Sequence, residues 1–215
     1  MMNKEQIYQY VDHTALRPMT SWTDIVRLCE EAIEHHTASV CIPGCYVKRV
    51  HETYGDRLTI CTVVGFPLGY TSTAGKLAET EQALRDGASE IDMVINLCDV
   101  KNGAYDAVEE EIRTLKNLVG EKILKVIIET CYLTDEEKIA MCKAVTAAGA
   151  DYIKTSTGFG TSGATLADVK LMKQHIGAGV KIKAAGGIRS RQEMEAYIQT
   201  GCSRLGTSSA VSILR

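Results

Sequence analysis

A chain of 215 residues with 45% hydrophobic and 24% charged side chains is long enough to bury one substantial core. Its formal charge of −3, from 24 Lys and Arg against 27 Asp and Glu, excludes a general nucleic-acid or membrane-surface binder, which needs clustered basic charge. No apolar run reaches the length of a membrane span and no signal-peptide pattern opens the chain; the eight cysteines show no CxxC and mostly sit in apolar runs, so the sequence reads as a reduced, cytoplasmic protein.

The predicted elements begin with a strand from Ile7 to Leu16 that carries Asp12-His13-Thr14 and stops at Arg17-Pro18. Ser21-Trp22-Thr23-Asp24 has capping-box spacing and opens an amphipathic helix to about His36. Ser39–Ile42 reads as a short buried strand, Pro43-Gly44 as a break, and a short helix runs to about Tyr54. Leu58–Val64 is an apolar strand ending at Gly65-Phe66-Pro67. Helix 74–85 leads into strand Glu90–Asn96, helix 105–118 into strand 123–130, and helix 135–148 into strand Tyr152–Thr157. Helix 165–175 leads into strand Val180–Ala185, helix 191–200 into Ser203–Thr207, and a short helix closes the chain. At Gly87, Gly149 and Gly201 a helix end meets a glycine suited to a left-handed cap, then a new strand.

Strand and helix thus alternate eight times, and the strands are continuous apolar runs, as expected for a parallel sheet buried on both faces. Eight such units fit a (β/α)8 barrel, a single catalytic domain over residues 1–215. The rival doubly wound sheet usually carries a glycine fingerprint after its first strand, where this chain has Ala15-Leu16-Arg17-Pro18.

Barrels place their reactive groups at the C-terminal ends of the strands. Those positions hold Asp12, Thr14, Cys41, Asp92, Asn96, Lys125, Glu129, Lys154 and Lys183. Lys154 and Lys183 lie on consecutive strands, about 4.8 Å apart in the hydrogen-bonding direction. Asp92, Val94 and Asn96 share a strand face, and Asp92 reads as the only acid on it. A second ammonium and partial desolvation disfavour the charged form of an amine, which readies it to attack a carbonyl and form a Schiff base. An aspartate between the two can shuttle the protons that turn carbinolamine into imine. The alternative is a structural Asp–Lys pair plugging the barrel.

An anion site is the other recurrent feature. Ala185-Gly186-Gly187-Ile188-Arg189-Ser190 ends the seventh strand and opens a helix capped by Ser190 and Glu193, and Gly206-Thr207-Ser208-Ser209 follows the eighth. Barrels commonly hold phosphate there, and Thr157-Gly158 would complete the cradle. Two tight turns that bind nothing are the alternative. His13, His35, His36, His51 and His175 show no metal spacing, Cys45 reads as packing, and Glu109-Glu110-Glu111 reads as a solvated helix face.

Tyr-Ile-Lys154-Thr-Ser-Thr-Gly, Lys-Ile-Lys183-Ala-Ala-Gly-Gly-Ile-Arg, Glu-Ile-Asp92-Met-Val-Ile-Asn and Lys125-Val-Ile-Ile-Glu-Thr together resemble the deoxyribose-phosphate aldolases, a class I family, from Asp12 to Ser209. The resemblance implies reversible cleavage of 2-deoxy-D-ribose 5-phosphate to D-glyceraldehyde 3-phosphate and acetaldehyde, with no cofactor and no metal. It implies Lys154 as the Schiff-base lysine, Lys183 as its acidifying neighbour and Asp92 as the proton carrier. Gly186, Gly187, Gly206, Ser208 and Ser209 match the family's phosphate loops. Its partners are then small molecules, a phosphorylated sugar and acetaldehyde, with no nucleic acid or membrane; a homo-oligomer such as a dimer is left open.

Three departures stand out. Phe159 follows Thr157-Gly158 where some relatives carry a basic residue, Ala184 replaces a proline, and the sequence stops at Arg215 without a tyrosine-ended tail. A transaldolase-like Schiff-base barrel and a barrel that only binds a sugar phosphate are the competing readings.

Overall fold

In the computed structural model, which describes residues 2–215, eight parallel strands pair in chain order and close into a barrel. They are β1 (Val11–Thr14), β2 (Ser39–Ile42), β3 (Ile60–Val64), β4 (Glu90–Val94), β5 (Ile123–Ile127), β6 (Tyr152–Lys154), β7 (Lys181–Ala185) and β8 (Arg204–Thr207). The helices are α1 (Lys4–Tyr8), α2 (Trp22–His35), α3 (Gly44–Tyr54), α4 (Thr73–Arg85), α5 (Leu97–Lys101), α6 (Tyr105–Val119), α7 (Asp135–Ala147), α8 (Leu166–His175), α9 (Arg191–Thr200) and α10 (Ala210–Leu214). Among the described residues no helix is long and apolar enough to cross a membrane.

Alternation along each strand sorts the side chains into two environments. Val40, Ile42, Ile60, Ile91, Met93, Leu124, Val126, Ile153, Ile182 and Leu205 are buried in one continuous apolar cluster with the helices, including Ile25, Leu28, Ile112, Leu115, Met141 and Met172. The alternate positions, Asp12, Cys61, Glu90, Asp92, Lys125, Lys154, Lys183 and Arg204, are polar, buried, and bonded to one another across the barrel. The apolar shell therefore holds the fold, and the barrel interior is left to charge.

The first strand is shorter than its apolar pattern suggests. Ile7 and Tyr8 belong to α1, because Asn3 caps that turn and exchanges bonds with Gln6 in a capping box. The capping box at Ser21 does open α2, with the Ser21 hydroxyl accepting from the Asp24 N–H. Strand β4 ends at Val94, two residues before the predicted boundary, and a short helix, α5, follows where a loop was expected.

Glu111 is not part of a solvated face. It is buried, and its carboxylate meets the fully buried Lys76 of α4 at 2.8 Å and accepts from the Thr73 hydroxyl at 3.1 Å. Lys76 also donates to the Val94 carbonyl at 2.8 Å, so the pair ties α4 and α6 to the end of β4. Burial pushes the Lys76 ammonium below the ordinary lysine value, with Glu111 opposing. Removing one member of a buried pair strands the other charge. We expect Lys76→Met to cost about 3 kcal/mol, read in calorimetry as a melting temperature lower by roughly 6–12 °C. Lys76→Met with Glu111→Leu should be milder than Lys76→Met alone; a double variant worse than the single would contradict this account.

Candidate active site

The centre of the barrel is a single ion cluster. Asp92, at mid-β4, accepts from Lys154 and from Lys183 on the same oxygen, Oδ2, at 2.7 Å each. Its other oxygen, Oδ1, accepts from Lys125 at 2.8 Å and from the Cys61 thiol at 3.1 Å. Asp12 on β1 pairs with Lys183 through Oδ2, and through Oδ1 accepts from Arg204 at 2.6 Å and from the Ser39 hydroxyl at 2.7 Å. Glu90, one alternation below Asp92, pairs with Lys125 at 2.6 Å and with Arg204 at 3.0 Å. Strand register produces these meetings, since Asp92 lies opposite Lys125, Lys154 opposite Lys183, and Lys183 opposite Arg204.

The electrostatics follow from the packing. Burial alone would raise the Asp92 carboxyl, but Lys125, Lys154 and Lys183 outweigh it and hold it well below the usual carboxylate range. Asp12 is held low in the same way by Lys183, Lys125 and Arg204. Burial alone would lower Lys183, but Asp12 and Asp92 outweigh it and keep its ammonium above the ordinary lysine range. Lys183 thus stands as a firmly charged acid paired to two carboxylates, not as a bare cation facing Lys154. Four cations (Lys125, Lys154, Lys183, Arg204) face three carboxylates (Asp12, Glu90, Asp92), so the cluster balances when one cation is uncharged. Lys154 is the one with a single carboxylate partner, and of the four it alone lines the open cavity above.

That cavity, of about 1010 Å³, lies over the C-terminal ends of β6, β7, β8 and β1. Lys154, Thr157, Gly158, Gly186, Gly187, Gly206, Ser208, Ser209 and Thr14 all line it, as the sequence leads one to expect. Asp12, Cys41 and Lys125 lie beneath, fully buried in the barrel. Asn96 does not join them. Beyond the end of β4 its side chain accepts from the Cys98 N–H at 3.1 Å and donates to Asp99 at 2.7 Å, capping α5, so strand alternation no longer governs where it points. Nor is Asp92 the sole acid on its strand face, since Glu90 shares it.

The predicted anion loops are rich in glycine. Gly186 and Gly187 have φ of +84° and +77°, a conformation that side chains with a Cβ seldom take. A Cβ at Gly206 would come within 2.9 Å of the Ala185 Cβ and 3.2 Å of the Lys183 Cε, so this glycine makes room for the lysine. The N–H groups of Arg189 and Ser190, just before α9, are donated to the Glu193 carboxylate at 2.8 and 3.0 Å. The side chains of Arg17, Arg27, Arg189 and Arg215 also line the cavity and bring positive charge to it. Thr157 donates both its N–H and its hydroxyl to Glu129, so it shapes its loop rather than offering donors to a ligand.

Cys41, Cys61 and Asp92 place possible metal-ligating atoms within 4.8 Å of one another. Three ammoniums already occupy the Asp92 oxygens, a field that repels a divalent cation. Of the histidines, His13 is buried, its Nε2 2.8 Å from Glu31.

Sequence reasoning missed Glu90 and Arg204 as parts of this region, and placed Glu129 at a strand end without giving it a role. Glu90 and Arg204 sit one alternation below Asp92 and Gly206, so reading strand phase over whole strands would have found them.

Residues 6–215 match the model of the DeoC/LacD family of aldolases. A deoxyribose-phosphate aldolase of Clostridium botulinum is 68% identical over 214 residues, 100% of this chain and 97% of the relative. One of Clostridioides difficile is 54% identical over 98% of this chain and 96% of its own length. Among solved structures, the tetrameric deoxyribose phosphate aldolase of Aeropyrum pernix superposes with a TM-score of 0.92 at 30% identity, covering 99% of this chain and 91% of that one. The chain belongs to the DeoC/LacD aldolase family.

Proposed function

We propose that the chain is a class I deoxyribose-phosphate aldolase, cleaving 2-deoxy-D-ribose 5-phosphate reversibly to D-glyceraldehyde 3-phosphate and acetaldehyde, with Lys154 as its Schiff-base residue. The observation that carries the residue assignment is the charge count. A cluster with one surplus cation leaves Lys154, single-partnered and open to the cavity, as the amine that can be free. The curated relatives carry the substrate.

In the cleavage direction, Lys154 Nζ adds to the C1 carbonyl of the open-chain sugar. The carbinolamine hydroxyl leaves as water on taking a proton from the Lys183 ammonium, with Asp92, 2.7 Å from both amines, passing protons between them. The C3 hydroxyl gives its proton back to the Lys183 amine by way of Asp92 as the C2–C3 bond breaks, and the electron pair of that bond moves into the iminium to leave an enamine. Glyceraldehyde 3-phosphate departs, the Lys183 ammonium protonates C2, and water adds to the iminium, returns a proton to Lys183 and releases acetaldehyde from Lys154. Gly158, Gly186, Gly187, Gly206, Ser208 and Ser209 hold the phosphate with Arg189. Residues 1–215 serve as one catalytic unit. The eight cysteines, all free thiols, accord with a cytoplasmic site of action, and the Aeropyrum tetramer with assembly as a homo-oligomer.

Borohydride added with acetaldehyde should leave an ethyl group on Lys154, located by mass spectrometry, and abolish turnover. An adduct on Lys183 instead, or none, would sink the assignment. Dialysis against EDTA should leave the rate unchanged, because the imine is the electron sink that a metal supplies in other aldolases. Loss restored by a divalent ion would contradict that.

Lys183 tests whether charge or proton exchange matters. Lys183→Leu should lower kcat by about 10²–10⁴-fold, the usual worth of a positioned acid. Lys183→Arg keeps the charge, but a guanidinium does not give up protons and finds Gly206 packed against the lysine stem. We expect it to fail almost as badly. A pH–rate profile of Lys183→Leu that overlays the wild type in shape and height would show this lysine to be structural.

A further inference from the structure

Glu129 has no part in the chemistry above, yet the backbone is bent to place it. Just beyond β5, the Ile128 N–H donates to the Lys154 carbonyl at 3.0 Å and the Thr130 N–H donates to the Thr155 carbonyl at 2.9 Å. Two residues of advance on one strand meet one on the other, so Glu129 is the extra residue of a β-bulge beside the Schiff-base lysine. Bulges at such places re-aim a side chain. Glu129 also has φ of +49°, one of two non-glycine residues with positive φ among the described residues. A left-handed glutamate persists only where its surroundings over-determine it.

Those surroundings are specific. Glu129 is 2% exposed, and its carboxylate accepts from the Thr157 N–H at 3.2 Å and from the Thr157 hydroxyl. The Thr157 oxygen in turn accepts from the Phe159 N–H at 3.0 Å. The loop is pinned again at Gly160, where a Cβ would come within 2.7 Å of Cys131 Sγ and 3.1 Å of Glu129 Oε1. Phe159 rests its ring edge-on against Phe66, with centroids 5.4 Å apart. Between these anchors lies Gly158, at φ of +88° on the cavity wall, where an added Cβ would point into open space. Burial pushes the Glu129 carboxyl up, against the Thr157 bonds and the nearby Lys154.

We propose that Glu129 is a positioning residue: through Thr157 it fixes the loop after the Schiff-base lysine, so that Gly158 meets the phosphorylated half of the substrate in one orientation. This rests on the aldolase reading above. It separates two parts of the reaction, because acetaldehyde alone needs Lys154 but not the phosphate side of the cavity. Glu129 therefore governs capture of the sugar phosphate and leaves imine formation with acetaldehyde alone.

The test uses the full chain with Glu129→Gln, Thr157→Val, Thr157→Ser and the Gln/Val double variant. Glu129→Gln and Thr157→Val should each raise KM for 2-deoxyribose 5-phosphate about tenfold, the effect of losing a bond to a buried carboxylate, with little change in kcat. Borohydride trapping of acetaldehyde on Lys154 should keep the wild-type rate in both. Thr157→Ser keeps the hydroxyl and should restore the wild-type KM, and the double variant should be no worse than the worse single one. An unchanged KM, a trapping rate that falls along with KM, or additive losses in the double variant would each overturn the proposal. Should Glu129→Gln fail to fold, Thr157→Val gives the same reading. A wild type that neither turns over nor traps acetaldehyde would instead fail the aldolase reading itself, and this inference with it.

Discussion

Everything inside the barrel depends on one carboxylate. Asp92 shares its two oxygens among Lys154, Lys183 and Lys125, and without it the three lysines would face one another inside the barrel with no carboxylate between them. Barrels of this kind usually fill the interior with layers of branched apolar side chains. Here the interior is ionic, and desolvating each ion costs several kcal/mol before any pairing is counted. Pairing offsets that cost only because nearly every member has two or more opposite partners in good geometry. Such a cluster is poor value as a stabiliser, since apolar packing of the same volume is often as good or better. A charged interior is therefore a reason to look for chemistry. The apolar shell between strands and helices is what lets the fold tolerate it.

The layers of the site follow from that arrangement. Glu90 and Arg204 lie lowest and bind mainly each other and their neighbours above, which anchors Asp12 and Lys125. Asp12, in turn, gives Lys183 its second carboxylate. Lys154 is the top of the stack, with the cavity over it. Above the ions the chemistry changes to backbone: glycines on the β7 and β8 side, and on the β3 and β6 side the aromatic pair of Phe66 and Phe159. Glu193 takes the N–H groups of Arg189 and Ser190 just before α9, and Arg17, Arg27, Arg189 and Arg215 bring positive charge to the cavity wall.

Much of this was legible in the sequence, for identifiable reasons. Strand–helix alternation and apolar strands are local properties, and they led to the barrel. Lys154, Lys183 and Asp92 could be brought together because strand phase and parallel register are nearly rigid rules within a strand. The same rules fail where a strand stops. Asn96 was read as still in phase, two residues after β4 had ended, and Glu129 sits on a bulge that no alternation pattern reveals. Ile7 and Tyr8 looked like strand because a short apolar run is ambiguous, and the Asn3–Gln6 capping box decided for a helix. The Lys76–Glu111 pair joins residues 35 apart on two helices, and Glu111 beside two other glutamates gave no sign of burial.

The charge count also bears on why one lysine of three should react. Lys125 faces Asp12, Glu90 and Asp92, and Lys183 faces Asp12 and Asp92, so neutralising either breaks two or more ion pairs, whereas neutralising Lys154 breaks one. Neutralising Lys154 leaves Asp92 with two ammoniums and the cluster balanced. On the proposed mechanism, the protonated imine then restores a positive charge at the same nitrogen, 2.7 Å from the same Asp92 oxygen. The carboxylate that paired with the ammonium is already in place for the iminium and needs no reorganisation as that charge forms, which is the condition under which a buried ion contributes most to a rate. The same Asp92 oxygen thus faces the Lys154 nitrogen before the imine forms and the iminium after it.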